Sequence, residues 1–281
     1  MSLISALRSV LRHFPRVHLF AARLKHAANA TVIRMFGLGY VQRRITGGPL
    51  AGHWFVASKR VYYSPWFWNG SYEEETCRFL QAVVPAEAVC YDIGANLGYH
   101  TLIMAGSAKR GQVLAFEPLP QVCEVLGRNL AINGVRNVTV VRKVAARQSG
   151  VVTLAKSVEI DQATMKYAAD AGSSRSLELI ACDAVTLDEF VAQGGVPPTF
   201  LKIDVEGAEV DVLAGATEVL RRYRPTVLCE THGAAAAQGV YQLLHALGYT
   251  LYRVTSQLEP IASAAMVPTN MNEGHLFARH E

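Results

Sequence analysis

The chain has 281 residues, 51% of them hydrophobic, and a formal net charge of +4. That apolar content excludes a disordered chain, and the length allows one sizeable core with a small appendage. The charge is uneven: residues 1–72 carry ten Lys or Arg and no Asp or Glu, which leaves the remainder net −6.

Residues 1–71 therefore read as a basic N-terminal arm and residues 72–281 as the main domain. Leu3, Ile4, Leu7, Val10, Leu11 and Phe14 recur at helical spacing, with Arg8 and Arg12 beside the stripe, until Pro15 interrupts it. A basic amphipathic helix can lie on an anionic membrane, each basic residue contributing roughly 1 kcal/mol. The plainer reading docks the helix on the acidic body. Nucleic acid is disfavoured as a partner, because no recognisable reading module accompanies the charge. The arm reads as helical to about residue 36 and extended beyond it, with turns at Gly47-Gly48-Pro49 and Gly52 and a strand candidate from Val56 to Tyr63. Tyr62, Tyr63, Trp66, Phe67 and Trp68 crowd around Pro65, either to cover the main domain or to line an acceptor pocket. No apolar run reaches the ~18 residues of a membrane-spanning helix. Arginines interrupt the N-terminal apolar stretch, which argues against a cleavable signal. The expected location is cytoplasmic, peripheral to a membrane if the arm engages one. The five cysteines, at 77, 90, 123, 182 and 229, show no metal or redox spacing and read as buried free thiols.

Tyr72 to Val83 reads as a helix with acids in its first turn. From Val89 onward strands and helices alternate, the sign of a parallel sheet. Strands are expected at Val89–Asp92, Gln112–Phe116, Val138–Arg142, Phe200–Asp204, Thr226–Glu230, Thr250–Val254 and Gly274–Phe277. Helices are expected at Tyr99–Ala108, Leu119–Asn133, Glu206–Tyr223 and Ala235–Leu247. Between the third and fourth strands, Val151–Leu154 and Leu177–Ala181 look like a small strand pair. Thr186 and Glu189 form a capping box.

The first of these strands runs into Asp92-Ile93-Gly94-Ala95-Asn96-Leu97-Gly98. The spacing is D-x-G-x-x-x-G and lacks the paired glycines with which a dinucleotide site presses its backbone against a pyrophosphate. An acid at that strand end would repel a pyrophosphate and suits a cationic cofactor, such as the ammonium and sulfonium of S-adenosylmethionine. Phe116-Glu117-Pro118 ends the next strand with another acid, able to take both hydroxyls of a ribose. The plain alternative is two strand-end acids acting as helix caps.

DIGANLGYHT at 92–101, AFEP at 115–118 and LKIDVEGAE at 201–209, in that order, resemble the FkbM family of S-adenosylmethionine-dependent methyltransferases. Supporting pieces are Asn129 and Asn133, Leu187-Asp188, Glu230-Thr231-His232 and an apolar run near Leu276-Phe277, so the likeness covers roughly residues 72–280. It implies a Rossmann-like class I methyltransferase fold: α/β, a seven-stranded mostly parallel sheet with the last strand antiparallel, helices on both faces. It also implies O-methylation of a hydroxyl, with sugars, glycans and natural products among the family's acceptors.

On that basis Asp92, Ile93, Gly94, Ala95, Asn96, Gly98, Tyr99, Thr101, Glu117, Pro118 and Ala145 are the candidate cofactor residues. Glu117 would hold the ribose, and Gly94 to Gly98 would let the backbone approach the methionine part. Asp92 would act on the ammonium through the turn's amides or a water. Tyr99, His100 and Thr101 would touch the same group, and Val144-Ala145-Ala146 would flank the adenine. The candidate catalytic residues are His232, Asp204, Glu206, Lys202 and Glu230, with His232 first because an unperturbed histidine titrates near neutral pH. Lys202 and Asp204 share a strand face, either to position the acceptor or as a structural ion pair. Asp204, Glu206, Glu230 and His232 could also hold a hard divalent ion, but no spacing demands a metal. N-methylation of an amine or peptide, or a non-catalytic cofactor-binding module docked to a membrane, remain as alternatives.

Overall fold

The computed structural model describes residues 40–58, 64–157, 165–167, 177–255, 257–267 and 275–280. The amphipathic stripe at residues 3–14, and Tyr62 and Tyr63, lie outside them.

In chain order the strands are β1 (Tyr40–Arg44), β2 (Trp54–Ser58), β3 (Val89–Ile93), β4 (Gln112–Phe116), β5 (Val138–Val141), β6 (Val144–Ala145), β7 (Gly150–Ser157), β8 (Met165–Tyr167), β9 (Leu177–Val185), β10 (Phe200–Ile203), β11 (Thr226–Glu230), β12 (Thr250–Val254), β13 (Leu258–Pro260) and β14 (His275–Arg279). The helices are α1 (Pro65–Trp68), α2 (Glu74–Val83), α3 (Tyr99–Ser107), α4 (Pro120–Ile132), α5 (Leu187–Ala192), α6 (Glu209–Ala214), α7 (Thr217–Tyr223) and α8 (Ala234–Ala246).

The main sheet has the order β13-β12-β14-β11-β10-β3-β4-β5. Its centre, β11-β10-β3-β4-β5, is parallel, and β14 runs antiparallel to both of its neighbours. The seven expected strands are all present, and the short β13 adds an eighth at the edge by pairing back on β12. From β3 the chain moves outward to β4 and β5, then returns to the other side of β3 as β10. That reversal opens a crevice at the carboxyl ends of β3 and β10, where open α/β sheets bind their ligands. Every position of β10 is buried, as a central strand covered on both faces requires.

The inserted strand pair proves to be part of a four-stranded sheet, β6-β9-β7-β8, whose inner edge reaches the crevice. The helix expected over Glu206–Tyr223 is instead two. Glu206 has φ +56 and Gly207 φ +108, so helical geometry starts only at Glu209. Gly215 stands at the break, where a Cβ would meet the Ala146 carbonyl oxygen at 2.0 Å, so only glycine fits. Helix α2 begins at Glu74 and not at Tyr72, because Glu73 takes φ +42 and turns the chain aside. Thr186 caps α5 as expected, its hydroxyl accepting from the Glu189 amide at 3.0 Å. Asp188 has a structural part too, accepting from the Glu218 and Val219 amides at the start of α7.

No gap in packing falls at residue 71. Val41, Ile45, Leu50, Phe55, Phe67 and Trp68 share one core cluster with Leu80, Tyr99 and Met104. Asn129 and Asn133 fasten this region to α4. Asn133 exchanges two hydrogen bonds with the Trp54 backbone, and Asn129 does the same with Val56. Asn129, fully buried, also donates to the Leu97 carbonyl at 2.8 Å. One side chain thereby ties the β1-β2 hairpin to the glycine turn. All five cysteines are buried and free. Among the described residues, no helix is long and apolar enough to cross a membrane.

Candidate active site

A cleft of about 720 Å³ opens at the strand ends and is lined by the Ile93–Gly94–Asn96 turn, Phe116-Glu117-Pro118, Ala145 and Leu154, and the Asp204–Glu206 turn. Glu117 is almost fully buried there. One carboxylate oxygen accepts from the Asn96 amide and the other from the Leu119 amide, at 3.1 and 3.0 Å. Burial outweighs those two bonds and pushes its pKa up to about 7. Phe116, Pro118, Val144, Ala145 and Leu154 give an apolar wall beside this carboxylate. A ribose diol against Glu117 with a flat adenine on that wall fits the donor chemistry present.

The two glycines are required by the protein's own packing. Gly94 has φ +85, and a Cβ there would meet the Asp204 carbonyl oxygen at 1.9 Å. Gly98 has φ +89, and a Cβ there would meet the Leu126 side chain at 2.3 Å. The turn is thus wedged between the end of β10 and α4. Gly98 caps α3 and lines neither cavity.

Asp92 and Thr101 form a buried pair between the end of β3 and α3. Both are fully buried, and the Thr101 hydroxyl donates to Asp92 Oδ2 at 2.6 Å. Asp92 Oδ1 lies 3.7 Å from Lys202 Nζ, and neither Asp92 nor Thr101 lines a cavity. This acid braces the strand ends from below. Burial raises its pKa, and Lys202 is too distant to reverse that. Lys202 sits closer to Asp204, at 3.0 Å, and there the attraction wins over burial and lowers the Asp204 pKa.

A second chamber of about 460 Å³ adjoins the first through Gly94, Asn96 and Asp204, which line both. Its walls are Phe55, Phe67, Tyr72 and Tyr99, with Ala95, His100 and Lys202. Residues before 72 therefore supply part of the wall. Phe67 packs against Tyr72 and Tyr99 with centroids 5.2 and 5.0 Å apart, Trp68 is buried, and Trp66 stays half-exposed. The Tyr99 hydroxyl, though buried, makes no hydrogen bond. His100 Nε2 lies 3.3 Å from Glu73, and burial holds this imidazole well below the usual histidine range.

Beyond Asp204 the ends of β10 and β11 meet. His232 Nδ1 bonds Glu209 Oε1 at 2.8 Å. Its Nε2 lies 3.5 Å from Glu206, 3.9 Å from Asp204 and 3.9 Å from Glu230. The bond to Glu209 raises the His232 pKa to about 9, against an opposing burial effect, and the other carboxylates add to the rise. The sequence-based expectation of a histidine titrating near neutral pH is corrected upward. Burial raises the Glu206 pKa, so this acid resists ionisation while the imidazole beside it favours its proton. Glu230 continues the network to His275 at 3.3 Å, and Thr76 touches the same ring.

Asp204, Glu206 and His232 bring one donor atom each within 4.8 Å of one another, as do Glu73, Glu230 and His275. Either trio is close enough to share a divalent cation. Carboxylates gathered around Nε2 equally suit a protonated imidazole, and no metal is assigned.

The structure thus brings Lys202, Asp204, Glu206, Glu230 and His232 into one cluster, which meets the cleft of Ile93, Gly94, Asn96, Glu117, Pro118 and Ala145 through Asp204 and Glu206, while Glu230 and His232 line neither cavity. Sequence reasoning missed Glu209, Glu73, Tyr72 and His275. Glu209 lay in the recognised 201–209 motif, where Asp204, Glu206 and Asp211 on either side left it no signal of its own.

The sequence model described as the methyltransferase FkbM domain matches residues 92–251. The hexuronic acid methyltransferase AglP of Haloferax volcanii is 30% identical over 173 residues, covering 61% of this chain and 67% of that protein. The methyltransferase sdnD of Sordaria araneosa is 26% identical over 207 residues, covering 64% of this chain and 80% of its own. Among solved structures, a methyltransferase FkbM from Methylobacillus flagellatus KT aligns with a TM-score of 0.48 at 17% identity, covering 69% of this chain but only 44% of that one. A domain match over more than half of the sequence, on a sheet of this order with its glycine turn at the β3 switch point, establishes that the chain belongs to the FkbM family of methyltransferases.

Proposed function

We propose that this methyltransferase moves a methyl group from S-adenosylmethionine to a hydroxyl of a sugar, glycan or natural-product-type small molecule. The observation that carries the reading is the continuity of two unlike environments through Asp204, which lines the cleft holding Glu117 and lies 3.9 Å from His232. The likeness to a hexuronic acid methyltransferase supports a sugar acceptor.

The donor supplies a methyl on a sulfonium, already bonded to a good leaving group. What the chain must add is placement and the fate of one proton. Holding donor and acceptor in line can supply ~7–11 kcal/mol of the barrier. Glu117 and the apolar wall fix the adenosine end. Phe55, Phe67, Tyr72 and Tyr99 close the far side of the glycine turn and exclude water. His232 Nε2 accepts the acceptor's hydroxyl proton once the imidazole is neutral. A cation bound nearby lowers its pKa and promotes that form.

A second reading, N-methylation of an amine, is favoured by the carboxylates Asp204 and Glu206 in the lining of the cleft, which attract a cationic acceptor. Incubation with isotopically labelled donor and a panel of hydroxylated sugars, glycans and amines, read by mass spectrometry, separates the two. A labelled methyl ether on a sugar supports the proposal. Labelled methylamines alone, or binding of NAD in preference to S-adenosylhomocysteine, would overturn it.

A further inference from the structure

We infer that Glu209 is a positioning residue for the reaction: its buried carboxylate fixes the ring of His232 so that Nε2 alone faces the acceptor, and steadies the imidazolium formed when the proton arrives. The inference rests on the proposed role of His232.

The geometry is built by the turn after β10. Glu206 and Gly207 both take positive φ, which swings the chain over so that Glu206 and Glu209 approach His232 from two sides. A non-glycine residue held in that region persists only where the surroundings over-determine it, and such strain gathers at functional sites. Glu209 then opens α6 with its side chain fully buried. Its Oε1 accepts from the Gly207 amide at 2.9 Å and bonds His232 Nδ1 at 2.8 Å. A carboxylate only accepts, so Nδ1 carries the hydrogen and the Nε2 side is the one that exchanges protons. Oε2 is buried and makes no hydrogen bond. The residue therefore spends its whole bonding capacity on one oxygen, shared between the turn and the imidazole.

The groups facing His232 come from three elements. Glu209 stands on α6, Asp204 and Glu206 on the turn after β10, and Glu230 at the end of β11. Asp204 is already engaged by Lys202, and Glu230 by His275. Glu209 is the one of these carboxylates at Nδ1 and the nearest to the ring, at 2.8 Å against 3.5 Å for Glu206 on Nε2. In the step itself, the acceptor oxygen bonds to the methyl carbon as the carbon–sulfur pair withdraws onto sulfur. The acceptor's proton passes to Nε2, and Nδ1 keeps its hydrogen on Glu209. An imidazole free to flip would lose both the aim and the charge compensation.

Glu209→Gln tests this in the full-length protein, because an amide oxygen in place of Oε1 preserves both bonds while the charge is lost and the amide nitrogen takes the buried place of Oε2. Two effects oppose one another at neutral pH, since a less basic His232 is more often neutral but accepts the proton less well. The whole pH profile must therefore be read. The expected result is a kcat/KM ionisation moved down by more than one pH unit, a plateau kcat about ten-fold lower or more, and S-adenosylhomocysteine affinity within two-fold of wild type. An unchanged profile and plateau in Glu209→Gln, while His232→Ala loses turnover, would overturn the role of Glu209 and leave that of His232 standing. Full turnover in His232→Ala would remove both. If the variant does not fold, nitrogen NMR of the wild-type His232 ring decides. A ring titrating near 6.5 with its hydrogen on Nε2 refutes the inference, and a ring titrating well above that with Nδ1 hydrogen-bonded supports it.

Discussion

The proposed donor cleft and the His232 cluster beside it use the same residue types and reach opposite electrostatic states. At the donor end Glu117 faces an apolar wall with two backbone amides as its hydrogen-bond partners, and burial drives its pKa up to about 7. At the proton end Asp204 is held ionised by Lys202, and His232 is held protonated by Glu209, with a pKa of about 9. A carboxylate surrounded by neutral donors stays adjustable; one beside a cation is fixed. On the proposed reading the donor end is a neutral-edged socket that would gain from ligand hydroxyls, while the proton end is a charged network whose proton an incoming cation would help to release.

The sharpest way to separate the two is His232→Ala. Turnover should fall by ~10²–10⁴-fold, the usual range for a lost general base, while S-adenosylhomocysteine affinity stays unchanged by calorimetry. In wild type, kcat/KM should rise with pH towards a plateau above about 9, because the free enzyme's imidazole must first lose its proton. The ionisation seen in kcat should lie lower, since the bound cationic donor disfavours the imidazolium. A kcat ionisation at or above that of kcat/KM would show that the two ends are not electrostatically joined.

Gly94→Ala should damage both ends at once. It puts a methyl group 1.9 Å from the Asp204 carbonyl oxygen in a backbone conformation that suits glycine. Overpacking and a positive φ together should cost about 3 kcal/mol or more, measured by denaturant unfolding. The β3-β10 register that places Asp92 beside Lys202 would shift with it. Wild-type stability in this variant would mean that the turn is looser than its packing implies.

Asn129→Ala strikes the donor end from beneath. It strands the Val56 amide and carbonyl and the Leu97 carbonyl, each a buried or half-buried group. Leaving such groups unpaired costs about 1–3 kcal/mol apiece, though not additively, so a loss of about 3 kcal/mol is expected. Cofactor-induced stabilisation should shrink in parallel, because the glycine turn loses its anchor to the hairpin. The chain before residue 72 is thereby tested as a working part of the site and not as a detachable arm.

Much of this was legible in the sequence, for definite reasons. Strands such as Gln112–Phe116 and Thr226–Glu230 are short apolar runs ended by an acid, and their bounds were read to the residue. The glycine turn and the Thr186 cap announce themselves through local chemistry. What stayed hidden depends on distant contacts. Position 215 takes only glycine because the Ala146 carbonyl passes beside it, and the enclosure of Asp92 by Thr101 and Lys202 joins three separate elements. Glu209 gave no periodic signal, since its partner lies 23 residues away. The hairpin seemed an appendage because its bonding groups are backbone atoms, which carry no sequence signature.

The smallest effect is the most diagnostic for the donor end. Glu117 ionises with a pKa of about 7, and ribose hydroxyls donating to it favour the charged form. Binding of S-adenosylhomocysteine should therefore be strongest above pH 7 and weaken as pH falls through that value, with proton release on binding near neutrality. Glu117→Gln should remove this pH dependence and weaken binding by about 1.5–3 kcal/mol, the usual contribution of hydrogen bonds to a charged group. His232 is told apart by its place on the pH axis: any gain from its deprotonation levels off only near pH 9, the gain from Glu117 by about pH 7, and the former survives in Glu117→Gln. A binding curve flat between pH 6 and 8, measured by calorimetry in two buffers of different ionisation enthalpy, would show that the ribose is held elsewhere and that Glu117 is only a cap on the turn.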